Sequence, residues 1–521
     1  MSMQGKALKK REVQLIGLFC LTVVLVTAAA ALKYRDGGIN YYNSDATWHT
    51  LLTIKAYRET PVSEHLFLPI VTLGSQDDKW IPWGATVPDE NGNYFYTSFS
   101  AAGYFLPWLF MKIFGLPVSE QSLYLFNTVM FAVSAFLWAR FISMIYDGHK
   151  NAVLLSVIAL FSYVLSPELL HGMGIVYWHQ SVMQVTLLIQ MMAWYQYKKG
   201  SRAAQILFYA MALANPYIEW TGYVANVGFA VAELLSGGKK QWKKSLGKAA
   251  VLGVLTIASL GLFAGHYLLR VDSATFGEAL RARFMARNVT ADTTFAEVFS
   301  GYIQSFGYLW ILALLLAVWN IAVNQKIELR HGLLMLVMTF PLLENVLMKQ
   351  HAVEYTYDRM KGIFILSFLL CELAQGILET AEKRRKAAAG LIVLTAAAGL
   401  FNFWSYRSDS HYIWEADYRA DNEKLASYIN QEYPDCVLAL EGDAVRGYMN
   451  LLFGRGIYEF TPADSAKEIA LEKGRRYAVV LSIEDSEAWN VYDLGGAAVY
   501  DLDTGEVELI SVQEGNIVLS K

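Results

Sequence analysis

Asp45 and His49 stand four residues apart in the run Ser44-Asp-Ala-Thr-Trp-His49, so on a helix they share one face. The stretch Ala46 to Tyr57 carries Trp48, Leu51, Leu52 and Lys55 at helical spacing, which predicts an amphipathic helix with Asp45 at its start. Asp45 could simply cap that helix, or, at the mouth of a membrane, take the proton of an incoming hydroxyl as a general base. The spacing to His49 is also ligand-like, though two residues do not make a metal site. Farther along, Asp77-Asp78 and Asp89-Glu90 are acidic pairs in turn-like surroundings. Most such pairs are merely solvated, but a pair can also hold a divalent cation beside a phosphate. Arg281, Arg283 and Arg287 form a second cluster, with Arg283 and Arg287 one helical turn apart. A cationic face of this kind suits a phosphate or, equally, lipid headgroups. The third cluster, His351 to Lys361, gathers His351, Glu354, Tyr355, Asp358, Arg359 and Lys361 in one short connection. A bare connector needs far fewer polar groups, so these are candidate substrate-binding residues.

The elements that must hold these residues are mostly apolar. Of 521 residues, 55% are hydrophobic, 14% aromatic and only 17% charged, with a mean hydropathy of +0.29. Soluble domains average about 25% charged, so the chain reads as a membrane protein, not a disordered, fibrous or disulfide-built one. Nucleic acid is an unexpected partner. The net charge of −4 divides unevenly: residues 405–521 carry 10 basic and 22 acidic residues, leaving the preceding part at +8. That division separates a basic membrane part, 1–404, from an acidic soluble domain, 405–521. Cys20 and Cys371 lie in apolar runs and Cys436 in an expected strand, so no bridge is expected.

Lys6, Lys9, Lys10 and Arg11 precede the uncharged run Val13 to Leu32, which is long enough to cross a bilayer core of about 30 Å. Signal h-regions are shorter, which favours a retained first helix over a cleaved leader. Residues 33–120 form a long polar loop with turn signals at Asp36-Gly37-Gly38, and the aromatic stretch Phe105 to Phe114 suits an interfacial helix. Ten further spans are expected at about 121–145, 151–169, 175–196, 203–217, 218–235, 249–269, 306–324, 333–348, 363–381 and 387–404, making about 11 in all. Asn215-Pro216 is the weak point, because one long helix over 203–235 would invert everything after it. Lys150, Lys198-Lys199 with Arg202, Lys239 to Lys248, Lys326 with Arg330, and Lys383 to Lys386 all fall on the side of the basic N-terminus. The positive-inside rule makes that side cytoplasmic and puts 33–120, 270–305, 349–362 and the C-terminal domain outside. Glu168, Glu219 and Glu344 then sit toward external ends, while Glu372 lies within a span and is expected to be packed and hydrogen-bonded.

Residues 405–521 alternate helical and strand patterns: Asp417 to Glu432, Val437 to Leu440, Ala463 to Glu472, Tyr477 to Leu481, Ala497 to Leu502 and Val507 to Val512. This is a small α/β domain. It has no Gly-rich phosphate loop, Cys/His metal pattern or nucleophile elbow, which leaves it as a binding or structural module.

Taken together, residues 1–404 resemble the C-type glycosyltransferase (GT-C) superfamily. The resemblance rests on an uncleaved first helix, a long acidic first external loop, an interfacial helix ending at Phe114-Gly115 and an external C-terminal domain. Asp45-Ala46-Thr47 supplies one acid to the loose acidic motif of that loop, whereas Asp77-Asp78-Lys79 and Asp89-Glu90-Asn91 supply two. The resemblance implies a polytopic helical enzyme of the plasma or inner membrane that transfers a sugar from a polyprenyl phosphate to a glycan or lipid-linked acceptor. Transfer would be inverting and at the outer face. It needs one carboxylate, with Asp45, Asp77 and Asp78 as candidates, and cations for the departing phosphate. His49, Arg283, Arg287 and the 351–361 cluster would bind substrate. The one cofactor the sequence suggests is a divalent cation, if an acidic pair holds one.

Two rivals belong to other classes: a transporter or flippase of a lipid-linked saccharide, and a non-catalytic envelope assembly protein. Transport predicts ionisable residues at membrane depth, whereas here the charged groups gather on one face.

Overall fold

The computed structural model describes residues 3–34, 40–41, 43–81, 85–238, 240–289, 292–322, 331–380, 384–408, 413–414, 418–442, 446–484 and 493–520. Asp36, Gly37, Gly38, Lys239, Lys326, Arg330, Lys383 and Asp417 lie outside this set, as do the side chains of Lys6, Lys9, Lys10 and Arg11. The chain forms two compact units. One comprises Met1–Arg35, Tyr124–Ala264 and Phe284–Asp409; the other comprises Asp36–Leu123, Gly265–Arg283 and Ser410–Lys521.

The first unit is helical throughout its described residues, and each segment expected to span contains a helix. Among the described residues, five helices are long and apolar enough to cross a membrane: Glu12–Leu32, Glu120–Ile145, Trp242–Tyr267, Gly362–Thr380 and Arg384–Ser408. The count reaches seven if two bent pairs are each one span: Ala152–Val164 with Pro167–Ile175, bent by 63°, and Phe295–Phe306 with Tyr308–Ala322, bent by 85°. The expected number of about 11 is therefore not met by length and apolarity alone. The shortfall has a physical cause. Helix His179–Lys198 carries Gln180, Gln184 and Gln190, all buried against neighbouring helices, and Arg202–Ile218 and Thr221–Gly237 have only 17 residues each.

The suspected break at Asn215-Pro216 is a tight helical hairpin. Pro216 stays inside the end of helix Arg202–Ile218, and the next helix begins at Thr221. Phe208 packs on Phe229, and Asn226 donates to the Ala212 carbonyl at 2.7 Å. A Cβ on Gly222 would lie 2.3 Å from the Asn215 carbonyl carbon. These pairs sum to a nearly constant residue number, the signature of antiparallel neighbours, and Gly222 is what lets them touch.

Polar groups collect at two opposite ends of the helices. Toward one end, Glu233 accepts from Trp194 at 2.8 Å and meets Lys198 at 3.2 Å and Lys248 at 3.1 Å. At that same end of the chain's alternation, Glu372 lies 2.9 Å from His331 and accepts from Tyr146, and Arg384 donates to Asn151. Glu372 is thus packed and hydrogen-bonded, as expected. The other ends of helices His179–Lys198 and Gly362–Thr380 bring Gln180 and Lys361 into a second polar group, described below.

In the second unit, the C-terminal segment forms a five-stranded sheet. Strand Cys436–Leu440 pairs in parallel with Tyr477–Glu484, and antiparallel strands Asp493–Asp501, Val507–Gln513 and Asn516–Ser520 follow in order. Parallel pairing needs a crossover, supplied by helices Arg446–Phe453 and Ala463–Glu472. Val437, Ala439, Ala478 and Val480 meet Ala466 and Ala470 in a small apolar core. The α/β reading of this segment agrees with what is built, with strands Ile413–Trp414 and Asn516–Ser520 and helix Arg446–Phe453 added.

Candidate functional site

Asp45 lies in the first turn of helix Ser44–Glu59, where a carboxylate is favoured by the helix dipole. The expectation that it caps the helix is corrected: the cap position is Asn43, in a left-handed conformation with φ 60, and no side chain makes the cap bond. One turn on, His49 is buried, with its Nε2 3.4 Å from the Tyr104 hydroxyl and its ring 4.5 Å from that of Tyr96. Helix Arg446–Phe453 covers this turn, since a Cβ on Gly447 would stand 3.1 Å from the His49 backbone nitrogen. Tyr96 is held in place by strand Tyr94–Tyr96 and by Tyr267, whose hydroxyl donates to the Tyr96 and Phe99 carbonyls at 2.6 Å each. Arg283 reaches the same residue, 3.4 Å from the Tyr96 hydroxyl and 3.3 Å from Ser98 Oγ. Two residues selected from sequence, His49 and Arg283, are therefore joined through Tyr96, with Asp45 one helical turn from His49. Tyr96 and Tyr104 were not singled out; nothing in their local pattern distinguishes them from other loop aromatics.

The acidic pairs have other partners. Asp77 and Asp78 end a single 3-10 turn, and Arg475 stands 4.0 and 3.9 Å from their carboxylates. Lys473 donates to the Asp77 carbonyl at 2.6 Å, and the Gly456 amide donates to the Asp78 carbonyl at 2.6 Å. The backbone of this turn is thereby stitched to the sheet-bearing segment. Asp89 closes the hairpin between Thr86–Pro88 and Tyr94–Tyr96, accepting from the amides of Asn91 at 2.9 Å and Asn93 at 2.8 Å.

The 351–361 cluster belongs to the first unit and divides in two. His351 Nδ1 is 3.3 Å from Asp358 Oδ2, and Lys361 lies 3.0 Å from Asp358 Oδ1 and also donates to Glu344. Gln180 donates to Asp358 at 3.1 Å, and Thr221 donates to Glu344 at 3.1 Å. All of these side chains are buried. Burial pushes the His351 imidazole down to about 4, against the pull of Asp358 and with Arg287 opposing protonation from nearby. Burial would raise Asp358, but Lys361 and His351 overcome it and hold the carboxyl below its usual range. Burial would likewise lower Lys361, and Asp358 with Glu344 more than offset it. Arg287 itself is 6% exposed, in the short π-helical turn Met285–Val289.

Arg359 faces elsewhere. Its Nε donates to Ser305 at 2.7 Å and its Nη1 to the Ala352 carbonyl at 2.6 Å, while Nη2 lies 3.5 Å from Glu168. A Cβ on Gly301 would sit 2.8 Å from the guanidinium, so that glycine makes its berth. An arginine expected to meet a donor phosphate is thus committed inside the protein. Glu354 is exposed and accepts from Gln350 one turn away, apart from the cluster, whereas Tyr355 stacks on His351 at 4.7 Å. Glu168, Glu219 and Glu344 were noted in the sequence only as acids at helix ends. Their shared side of the membrane part with 349–362 was the signal that they meet it.

A scan against protein-family models matches none, and a search of the curated proteins gives no match. Among solved structures, the chain is similar to the archaeal oligosaccharyltransferase AglB from Archaeoglobus fulgidus in complex with an inhibitory peptide and a dolichol-phosphate. The TM-score is 0.58 at 11% identity, over 98% of this chain and 76% of that one. It is also similar to ArnT from Cupriavidus metallidurans bound to undecaprenyl phosphate, with a TM-score of 0.56 at 10% identity over 97% of both chains. The Archaeoglobus oligosaccharyltransferase in complex with Zn and sulfate gives 0.54 at 11% identity, over 89% of this chain and 68% of that one. The chain shares the fold of these structures over nearly its whole length.

Proposed function

We propose that this protein is a membrane glycosyltransferase that moves a sugar from a polyprenyl-phosphate carrier to a hydroxyl of a glycan or lipid-linked acceptor. The observation that carries the reading is that two solved proteins of the same fold each hold a polyprenyl phosphate, dolichol-phosphate in one and undecaprenyl phosphate in the other. Asp45 takes the acceptor proton as the hydroxyl oxygen bonds to the anomeric carbon. The bond from that carbon to the phosphate oxygen breaks on the opposite side, so the configuration inverts, and the lipid phosphate leaves as an anion. Arg283, in the same unit as Asp45, neutralises that charge. Support for Asp45 over Asp77 and Asp78 is its place one helical turn from His49, whose ring meets Tyr96 as Arg283 does, whereas the carboxylates of the pair lie near Arg475.

In this reading the chain lies in the plasma or inner membrane with its N-terminus cytoplasmic. Residues 1–404 form the membrane transferase part, and the 33–120 loop and 405–521 are extracytoplasmic. The test is turnover of a panel of polyprenyl-phosphate sugars by purified protein in detergent. Bond formation without a closed membrane or gradient supports transfer; sugar translocation in vesicles with no new glycosidic bond would instead make the protein a transporter.

A further inference from the structure

We infer that Glu344, His351 and Asp358 form a binding site for one divalent transition-metal ion, independent of whether the protein transfers a sugar. One ligand atom from each of the three side chains lies within 4.8 Å of the others, and all three residues are buried. The 3.3 Å between His351 Nδ1 and Asp358 Oδ2 is the spacing of two neighbouring ligands that each stand about 2.0–2.2 Å from one ion. The spacing in the chain is regular. Glu344 opens helix Leu343–Leu347, His351 lies on helix Lys349–Glu354, and Asp358 sits in the 3-10 turn Thr356–Arg359, so three short consecutive elements each contribute one ligand.

Two further observations point to an ion. Gln180, which donates to Asp358, is 5% exposed and its Oε1 has no hydrogen-bond partner among the described residues; Glu219, 3% exposed, has the same unmet need at Oε1. Glu219 interacts electrostatically with both Lys361 and Asp358, so it belongs to the same polar centre. A buried site with surplus acceptors is what a cation satisfies. Its imidazole ligand favours a transition ion such as Zn²⁺ over Mg²⁺ or Ca²⁺, which prefer oxygen alone. Thr221 on Glu344 and Gln180 on Asp358 are the outer partners that orient the two carboxylates. Lys361, bonded to both, balances charge and sets how tightly the ion is held.

The test uses full-length protein in detergent, stripped with chelator, loaded with Zn²⁺, desalted and assayed for metal by mass spectrometry. About one ion per chain is expected in the wild type, lost in His351→Gln and Asp358→Asn and kept in a doubly substituted Asp77→Asn, Asp78→Asn control. Gln180→Leu should weaken binding by roughly tenfold, the lower range for an outer partner. Loading with Co²⁺ should give a visible absorption band that the His351→Gln variant lacks. Because ligand variants could fail to fold, Lys361→Met is the second arm: it keeps all three ligands and removes the competing ammonium, so its melting temperature should rise on adding Zn²⁺. Wild-type protein that retains no metal, equal retention in the ligand variants, or a Lys361→Met melting curve indifferent to Zn²⁺ overturns the site.

Discussion

Replacing Arg359 by alanine should destabilise the protein without touching its chemistry. The guanidinium is 1% exposed, donates to Ser305 and to the Ala352 carbonyl, and pairs with Glu168, which is 0% exposed. Ser305 in turn donates to Glu168 at 2.5 Å. Alanine would remove three contacts at once and take the guanidinium away from a carboxylate buried in the interior. Breaking a buried pair from one side costs about 3–5 kcal/mol, most of it the stranded charge and not the lost attraction. At roughly 2 °C per kcal/mol for a large unit, the melting temperature in detergent should fall by about 6–10 °C. The double variant Glu168→Gln with Arg359→Met removes the stranded charge and should recover at least half of that loss. Arg359→Lys should fall between, since an ammonium keeps the charge but cannot reach Ser305, the Ala352 carbonyl and Glu168 as one planar fork. The assay is a melting curve on monodisperse protein, with donor turnover measured on the same samples below the transition. An Arg359→Ala protein that melts like the wild type but no longer uses donor would refute this reasoning and return Arg359 to the phosphate.

Other expectations follow from the same geometry. Asp45→Asn keeps the side-chain shape in the first turn of helix Ser44–Glu59 and removes only basicity, so the variant should melt normally, bind donor and lose about a hundredfold or more in turnover; near-normal turnover would exclude Asp45 as base. Arg283→Ala should weaken donor use while leaving melting within a degree or two, because its contacts to Ser98 and Tyr96 are long and half-exposed; an unchanged donor KM would remove it from the phosphate. A phosphatase fused after Lys521 should be active in cells and a fluorescent protein that matures only in the cytoplasm should stay dark; the reverse pattern would mean an even number of crossings.

Local periodicity made the first-loop helix legible, because Trp48, Leu51, Leu52 and Lys55 recur at a period that only a helix uses. The strands of the acidic segment were legible for the same reason, except Asn516–Ser520, an edge strand with exposed side chains that carries little hydrophobic alternation. Side-chain partnerships were not legible at all where they join distant parts of the chain. Arg359 lies 191 residues from Glu168, and nothing near either residue says that the other will be there. The clusters picked from sequence were therefore right about where polar groups concentrate and silent about how they divide among themselves. The division has a physical rule behind it. At the ends of apolar helices, water is scarce enough that a carboxylate must find a cation or a donor within the protein, so neighbouring charges in sequence are drawn to different partners in space. Asp358, Arg359 and Lys361 illustrate it: the first and last close on each other across one turn, while Arg359 pairs with Glu168. A run of adjacent charges in such a loop should accordingly be read as several structural commitments pointing in different directions, and a substrate ligand should be sought first at a half-exposed cation such as Arg283.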